Sequence, residues 1–261
     1  MAARSIWNGT IAFGLMTVPV KLHTATESKT VHFHEVHLDD GAKIEHRRFC
    51  SKEDKEVPYK QVVKGYEVAD DTYVVLEKDE VAAAAGDGAH RIDVEHFVDA
   101  GDIDPVFFDK TYYLGAGKDG AQPYRLLLDA LEQTGRAGIG RFTFHDREYL
   151  TAIRARDGVL VLHTLRFADE LVPGKDIDVA APSRGPGDRE VKMAAQLIDT
   201  LHAKFKPEEY EDEYRAAVLN VVEAKAKGEA IAPDDEPAAD DSADLMAALK
   251  ASLDGAKKGG R

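Results

Sequence analysis

The sequence predicts a mainly β protein followed by helices, with an antiparallel barrel or sandwich as its core. Three observations carry that reading. The first two thirds consist of short runs rich in Val, Ile, Phe, Tyr and Thr, broken by Gly, Pro and Asp instead of regular helices, unlike a doubly wound sheet. The last three runs are separated by turn-sized gaps, one of them Asp157-Gly158, which is the pattern of a meander. From Arg189 onward the apolar spacing changes to three and four, the period of an amphipathic helix.

Taken in order, strands are expected at 5–13, 18–23, 31–37, 44–49, 73–77, 91–98, 111–114, 139–145, 149–155 and 159–167. A helix at 122–134 puts Leu126, Leu127, Ala130 and Leu131 on one face and stops at Gly135. After a Pro/Gly-rich stretch, 172–187, a helix at 189–205 aligns Val191, Ala194, Ala195, Ile198, Leu201 and Phe205, and another at 207–227 starts with a proline and ends before Gly228. Neither can bury its apolar face alone, so both are expected to pack on the β core or on a second subunit. The acidic, Pro/Ala-rich tract that follows has the composition of a disordered linker. Beyond it, Ser242 can cap a short helix with Leu245, Met246, Leu249 and Leu253 in one stripe. That stripe suits either a docking peptide for a partner groove or a helix folded back on its own core.

A chain of 261 residues, 44% hydrophobic, can bury a core of one large domain or a domain plus an appendage. Its single cysteine rules out an internal disulfide and an all-cysteine metal site. The opening MAARSIWNGTIAFG has no apolar stretch of signal-peptide length, and no run approaches a membrane span, so a soluble, cytoplasmic protein without membrane partners is expected. The net charge of -14 argues against a protein that coats nucleic acid with its whole surface. Charge is segregated, however: residues 134–168 carry six arginines against three acidic side chains, and KIEHRRFC (residues 43–50) is a second basic cluster.

Motifs of chemistry fail on inspection. In HFHEVH the histidines His34 and His37 are three apart, where a helical zinc site needs four, and on a strand His32 and His34 lack a third ligand in register. GAGKDG (residues 115–120) has the spacing of a dinucleotide loop, but the strand before it is Tyr-rich and half polar, so it reads as a Gly-rich turn. Cys50 has His46 nearby and no orienting third group, which reads as a core thiol or a half-lost metal knuckle. No enzyme, cofactor or metal is expected. The residues alone point to a polyanion-binding β protein whose candidates are Lys43, Arg47, Arg48, Lys60, Lys64, Arg141, Arg147, Arg154 and Arg156.

The order of the segments RSIWNGTIAFGLMTVPVKLHTATE, VHFHEVH, KIEHRRFC, EVPYKQVVKGYE, IDVEHFV, DIDPVFFDKTYYL, LLLDALEQTGRAGIGRF and DGVLVLHTLRFADEL strongly resembles the bacterial Ku family over residues 4–171. The resemblance implies a Ku-type β-barrel core with an inserted DNA-bridging arm, followed by a helical C-terminal arm, in four parts: 1–185, 186–228, a linker at 229–243 and a tail at 244–261. It implies a homodimeric ring that threads double-stranded DNA ends without reading sequence, in non-homologous end joining, at breaks in the nucleoid. It also implies a tail that recruits an ATP-dependent repair ligase, ligase D, through Leu245, Met246, Leu249 and Leu253. Carried over by segment, Lys43, Arg47, Arg48, Lys60 and Lys64 belong to the bridge and Arg141, Arg147 and Arg154 to the barrel meander. Some members have a second cysteine three residues after the position of Cys50; Glu53 stands there, so no zinc is assigned. Many also carry a long Lys-rich extension, whereas this sequence ends GAKKGGR. A second reading, from another class, is a DNA-end-processing lyase acting through Lys at abasic sites.

Overall fold

The computed structural model describes residues 4–77, 79–80, 90–144, 147–179 and 185–229, with 250, 252 and 255. The chain divides into two compact units, one of Met1–Lys29 with His34–Gly174 and one of Thr30–Phe33 with Lys175–Arg261.

The first unit is built on a closed seven-stranded barrel. Its strands are β1 (Trp7–Phe13), β2 (Met16–Thr24), β7 (Arg91–Asp99), β8 (Phe108–Ala116), β9 (Arg136–Phe144), β10 (Arg147–Arg156) and β11 (Val159–Leu165), in the order β1-β2-β8-β11-β10-β9-β7. Every neighbouring pair is antiparallel except β1 and β7, whose parallel pairing of Thr10 with Arg91, Ile11 with Ile92 and Ala12 with Asp93 closes the ring. Alternation along the strands sends Ile11, Val18, Val20, Leu22, Ile92, Leu114, Phe142, Ile153, Leu160 and Leu162 inward, where they form one cluster. Each such side chain contributes about 1.5–3 kcal/mol by leaving water, so the barrel interior is a packed core and not a pore. At one end Trp7, Phe144 and Tyr149 gather round Phe142, with ring centroids 5.7 to 5.9 Å from it.

The other end is stopped by helix α1 (Ala121–Thr134), which places Leu127, Leu128 and Leu131 in the core cluster and ends at Gly135 with φ 65°. The half-buried Tyr124 pins it: its hydroxyl donates to the Leu114 carbonyl at 2.6 Å and accepts from the Leu160 amide at 2.9 Å. Of the glycines of GAGKDG, Gly115 belongs to β8, and Gly117 and Gly120 to the turn into this helix. Gly117 N donates to Pro19 O at 2.8 Å, and a Cβ at Gly117 or Gly120 would lie 2.8 or 2.6 Å from Pro19 backbone atoms. Close backbone approach therefore accounts for the spacing that a dinucleotide loop would share.

Between β2 and β7 the chain leaves the barrel. It forms two small antiparallel pairs, β3 (Phe49–Cys50) with β4 (Lys55–Glu56) and β5 (Lys64–Ala69) with β6 (Thr72–Leu76), and no residue from Thr24 to Glu77 is buried. Here the sequence expectations need correction. The strands expected at 31–37 and 44–49 shrink to one bridge, Val36 to Lys43, and the pair Phe49–Cys50, because alternating apolar residues form a strand only where a partner backbone exists. β5 was not expected, and Cys50 is half-buried in an exposed hairpin and is no core thiol.

In the second unit, α2 (Asp188–Thr200) is shorter than expected, and α3 (Glu213–Lys227) starts after the proline turn Pro207–Glu209 and not at it. Asp212 caps α3 by accepting from the Arg215 amide at 2.9 Å, and Gly228 ends it with φ 79°. Neither helix has a buried residue, so Val191, Ile198 and Leu201 stay exposed in the single chain.

Tyr124→Phe keeps the ring and removes both hydroxyl bonds, leaving the Leu160 amide without its acceptor. Chemical denaturation should show a loss of about 1–3 kcal/mol with an unchanged slope; wild-type stability would show that α1 is held by its leucines alone.

Candidate nucleic-acid interface

The basic candidates fall in two regions of the first unit, the meander β9-β10-β11 and the excursion between β2 and β7. In the meander the two-residue turn sets the faces. Asp157 and Gly158 both have positive φ, 51° and 76°, and from that turn the register runs Arg156 opposite Val159, Arg154 opposite Val161 and Ala152 opposite His163. Across the other side Arg141 lies opposite Leu150 and the core residue Phe142 opposite Tyr149. Arg141 and Arg154 therefore share the outward face, while Arg147 opens β10 in the inward register at the barrel rim. β11 ends at Leu165 and not at 167 as expected, so Arg166 lies beyond it and β11 carries no arginine.

Most of these arginines are already paired. Arg141 is 3.1 Å from Glu95 and 3.7 Å from Glu148, Arg147 2.7 Å from Glu170, Arg156 3.3 Å from Asp157, Arg166 3.2 Å from Asp109 and Arg136 3.6 Å from Asp99. The Glu170 carboxyl is held below its usual range, first by the Phe167 amide and then by Arg147 and Arg166. Arg154 differs: among the described residues it has no carboxylate partner. Its Nε donates to His163 Nε2 at 3.0 Å, and its guanidinium carbon lies 6.0 Å from the centre of the Phe108 ring. His163 is buried on the outer side of β11, with Nδ1 3.0 Å from Thr111 Oγ1 and its ring 5.0 Å from that of Phe108. Burial, and then the charges of Arg154 and Arg156, push its pKa down to about 4.

In the excursion, the bridge between Val36 and Lys43 is tightened by His37 N donating to Ala42 O at 2.8 Å, and His46 sits 2.8 Å from Glu35. Arg47 reaches Glu56 at 3.3 Å and Glu45 at 3.8 Å, whereas Arg48 lies over the Tyr59 ring at 5.1 Å. Lys60 is in the turn Tyr59–Gln61 and Lys64 opens β5. Among the described residues Lys43, Arg48 and Lys60 have no carboxylate partner. Such a surface, cationic side chains with aromatic support, can hold phosphates through charge.

Sequence reasoning missed Tyr59, Phe108 and His163. The last was within reach, because counting back from Asp157-Gly158 puts His163 diagonally beside Arg154 on one face. Leu245, Met246, Leu249 and Leu253, with the linker at 230–243, lie outside the described residues. Among the described residues no group of three or more His, Cys, Asp or Glu side chains could hold a metal, and no helix is long and apolar enough to cross a membrane.

The Ku70/Ku80 beta-barrel domain matches residues 12–193. The chain belongs to the Ku family. The chain is 43% identical to the non-homologous end joining protein Ku of Anaeromyxobacter sp. (strain K) over 99% of its own length and 88% of the relative's. It is 36% identical to that of Solibacter usitatus over 98% and 95% of the two chains, and 34% identical to that of Bacillus subtilis over 98% and 84%. The expected Ku-type barrel is thus present, and the matched residues contain its strands from β2 onward, the excursion and the meander.

The His163 shift has a consequence for stability. Because the folded pKa of about 4 lies below the ordinary 6.5, the unfolded chain binds more protons between those values, and stability falls as pH drops through that window. The loss is on the order of 2–3 kcal/mol in all. His163→Gln should flatten this part of a denaturation-versus-pH profile; an unchanged profile would assign the acid sensitivity to other groups.

Proposed function

We propose that this Ku-family chain binds double-stranded DNA ends as a homodimeric ring in non-homologous end joining, without reading base sequence. The observation that carries the reading is the excursion between β2 and β7. In an acidic chain it holds Lys43, Arg47, Arg48, Lys60 and Lys64 on a segment with no buried residue, and its removal from the barrel costs the core nothing. Arg141, Arg147 and Arg154 add a second cationic surface. A protein that accepts any end can use only phosphate and sugar contacts, since base-edge contacts would favour particular sequences. Acidic surface elsewhere confines the attraction to the channel.

Exposed apolar surface supports the homodimer. A two-stranded hairpin such as β5-β6 is marginal by itself in water, yet Tyr66 is 69% exposed and Val75 56%, and Ile198 of α2 is 69% exposed. A second copy offers these faces a cover, with 1–185 as barrel core and bridge and 186–228 as helical arm. The tail at 244–261 then recruits ligase D through Leu245, Met246, Leu249 and Leu253, joined by the linker at 229–243. The protein acts in the cytoplasm at breaks in the nucleoid and binds DNA without catalysing a reaction on it.

Gel shifts should show binding to linear duplex of any sequence, falling steeply with salt, and little binding to covalently closed circles. Equal binding to circles refutes end threading. Arg48→Glu should weaken binding by roughly tenfold and Arg47→Glu by less, because Arg47 already shares its charge with Glu56 and Glu45; the double variant should remain dimeric in sedimentation, and unchanged affinity would turn both side chains away from DNA. Deleting residues 242–261 should leave DNA affinity intact and abolish stimulation of ligase D.

A further inference from the structure

The side chain that distinguishes Arg154 from the other meander arginines is His163. Arginine Nε is always a donor, so His163 Nε2, 3.0 Å away, must be the acceptor and carry no proton. The imidazole proton then sits on Nδ1 and points to Thr111 Oγ1 at 3.0 Å. One tautomer of a neutral ring is thereby selected from both sides. With Nε tied and the guanidinium resting near the Phe108 ring, the two terminal nitrogens of Arg154 remain as a planar fork, the geometry that matches two oxygens of a phosphate. The neighbouring arginines must release Glu95, Glu170, Asp157 or Asp109 before they can do the same, whereas Arg154 has no carboxylate to release among the described residues.

We propose that His163 is a positioning residue, which holds Arg154 in place for a contact with one phosphate of bound DNA. The inference rests on the end-binding reading and deepens it. The groups that face the imidazole are Arg154 and Arg156 of β10 and Thr111 and Phe108 of β8. None is an acid, so the ring stays neutral at ordinary pH and adds no charge of its own to the surface.

The test is binding of a short linear duplex at several salt concentrations by the wild-type chain, Arg154→Gln, His163→Leu, His163→Gln and the double variant Arg154→Gln with His163→Leu. Arg154→Gln should weaken binding by about three- to tenfold and reduce the slope of log affinity against log salt by about 0.9, the signature of one lost phosphate contact. His163→Leu should reproduce both changes, the double variant should add nothing to them, and His163→Gln, whose amide oxygen can accept from Nε, should stay within about twofold of wild type. A defect confined to folding would leave the salt slope of the folded fraction unmoved. A normal slope in His163→Leu, alongside a reduced one in Arg154→Gln, overturns the positioning role. Wild-type affinity in Arg154→Gln overturns the contact and leaves the end-binding reading standing; failure of the wild-type chain to bind linear duplex overturns both. Should His163→Leu not fold, nitrogen-15 correlation spectra of the wild-type imidazole at neutral pH decide: a proton on Nδ1, free and DNA-bound, is expected, and a proton on Nε2 overturns the proposal.

Discussion

The parallel pairing of Thr10, Ile11 and Ala12 with Arg91, Ile92 and Asp93 is the contact on which the rest of the first unit depends. Antiparallel neighbours can be joined by a tight turn, as β10 and β11 are, but parallel neighbours require the chain to travel back before it pairs. Here β2 makes that journey: it runs back beside β1, with Trp7 opposite Leu22, and leaves the chain at the end where β7 begins. Ring closure removes the barrel's sheet edges without needing the long segment between β2 and β7, which no packing requirement therefore constrains. A segment free of the core can carry lysines and arginines at little cost, and that is where KIEHRRFC lies.

Closure also divides the labour of the meander strands. Inside, Phe142, Ile153, Leu160 and Leu162 are held by the core and Leu128 of α1 closes the end. Outside, the same strands present Arg141 and Arg154 at positions set by alternation from a packed interior. A rigid barrel therefore fixes where these charges stand, and Tyr124, bonded to Leu114 of β8 and Leu160 of β11, ties the end-stopping helix to the meander and to its neighbour. Phosphate binding without base reading needs only this: charges held at fixed places on a surface that does not deform.

Electrostatically the surface is restrained. An acidic chain whose meander arginines were all uncompensated would attract any polyanion at long range. Pairing of Arg141, Arg147, Arg156 and Arg166 to nearby carboxylates shortens that reach, since exposed ion pairs are weak enough to exchange for phosphate once DNA is present. Arg154 is managed differently, by a neutral histidine and an aromatic ring, and keeps its full charge.

Much of this was legible in the residues. Period-two alternation located β1, β2, β7 and the meander strands, Asp157-Gly158 gave a turn and through it the cross-strand register, and the ordered segments gave the family. Alternation failed at 31–37, where apolar residues line a segment without a neighbouring strand, and it passed over β5, whose Lys64, Gly65 and Glu67 hide a hairpin. The sequence by itself determined the local periods, the turns and the charge of each cluster, because these depend on residues close along the chain. Which arginines are paired, and that Arg154 answers to His163 and Phe108, was decided only in the tertiary structure. Glu95, Glu170 and Phe108 come from elements far apart in sequence, and a charge interacts with what lies a few ångströms away in space.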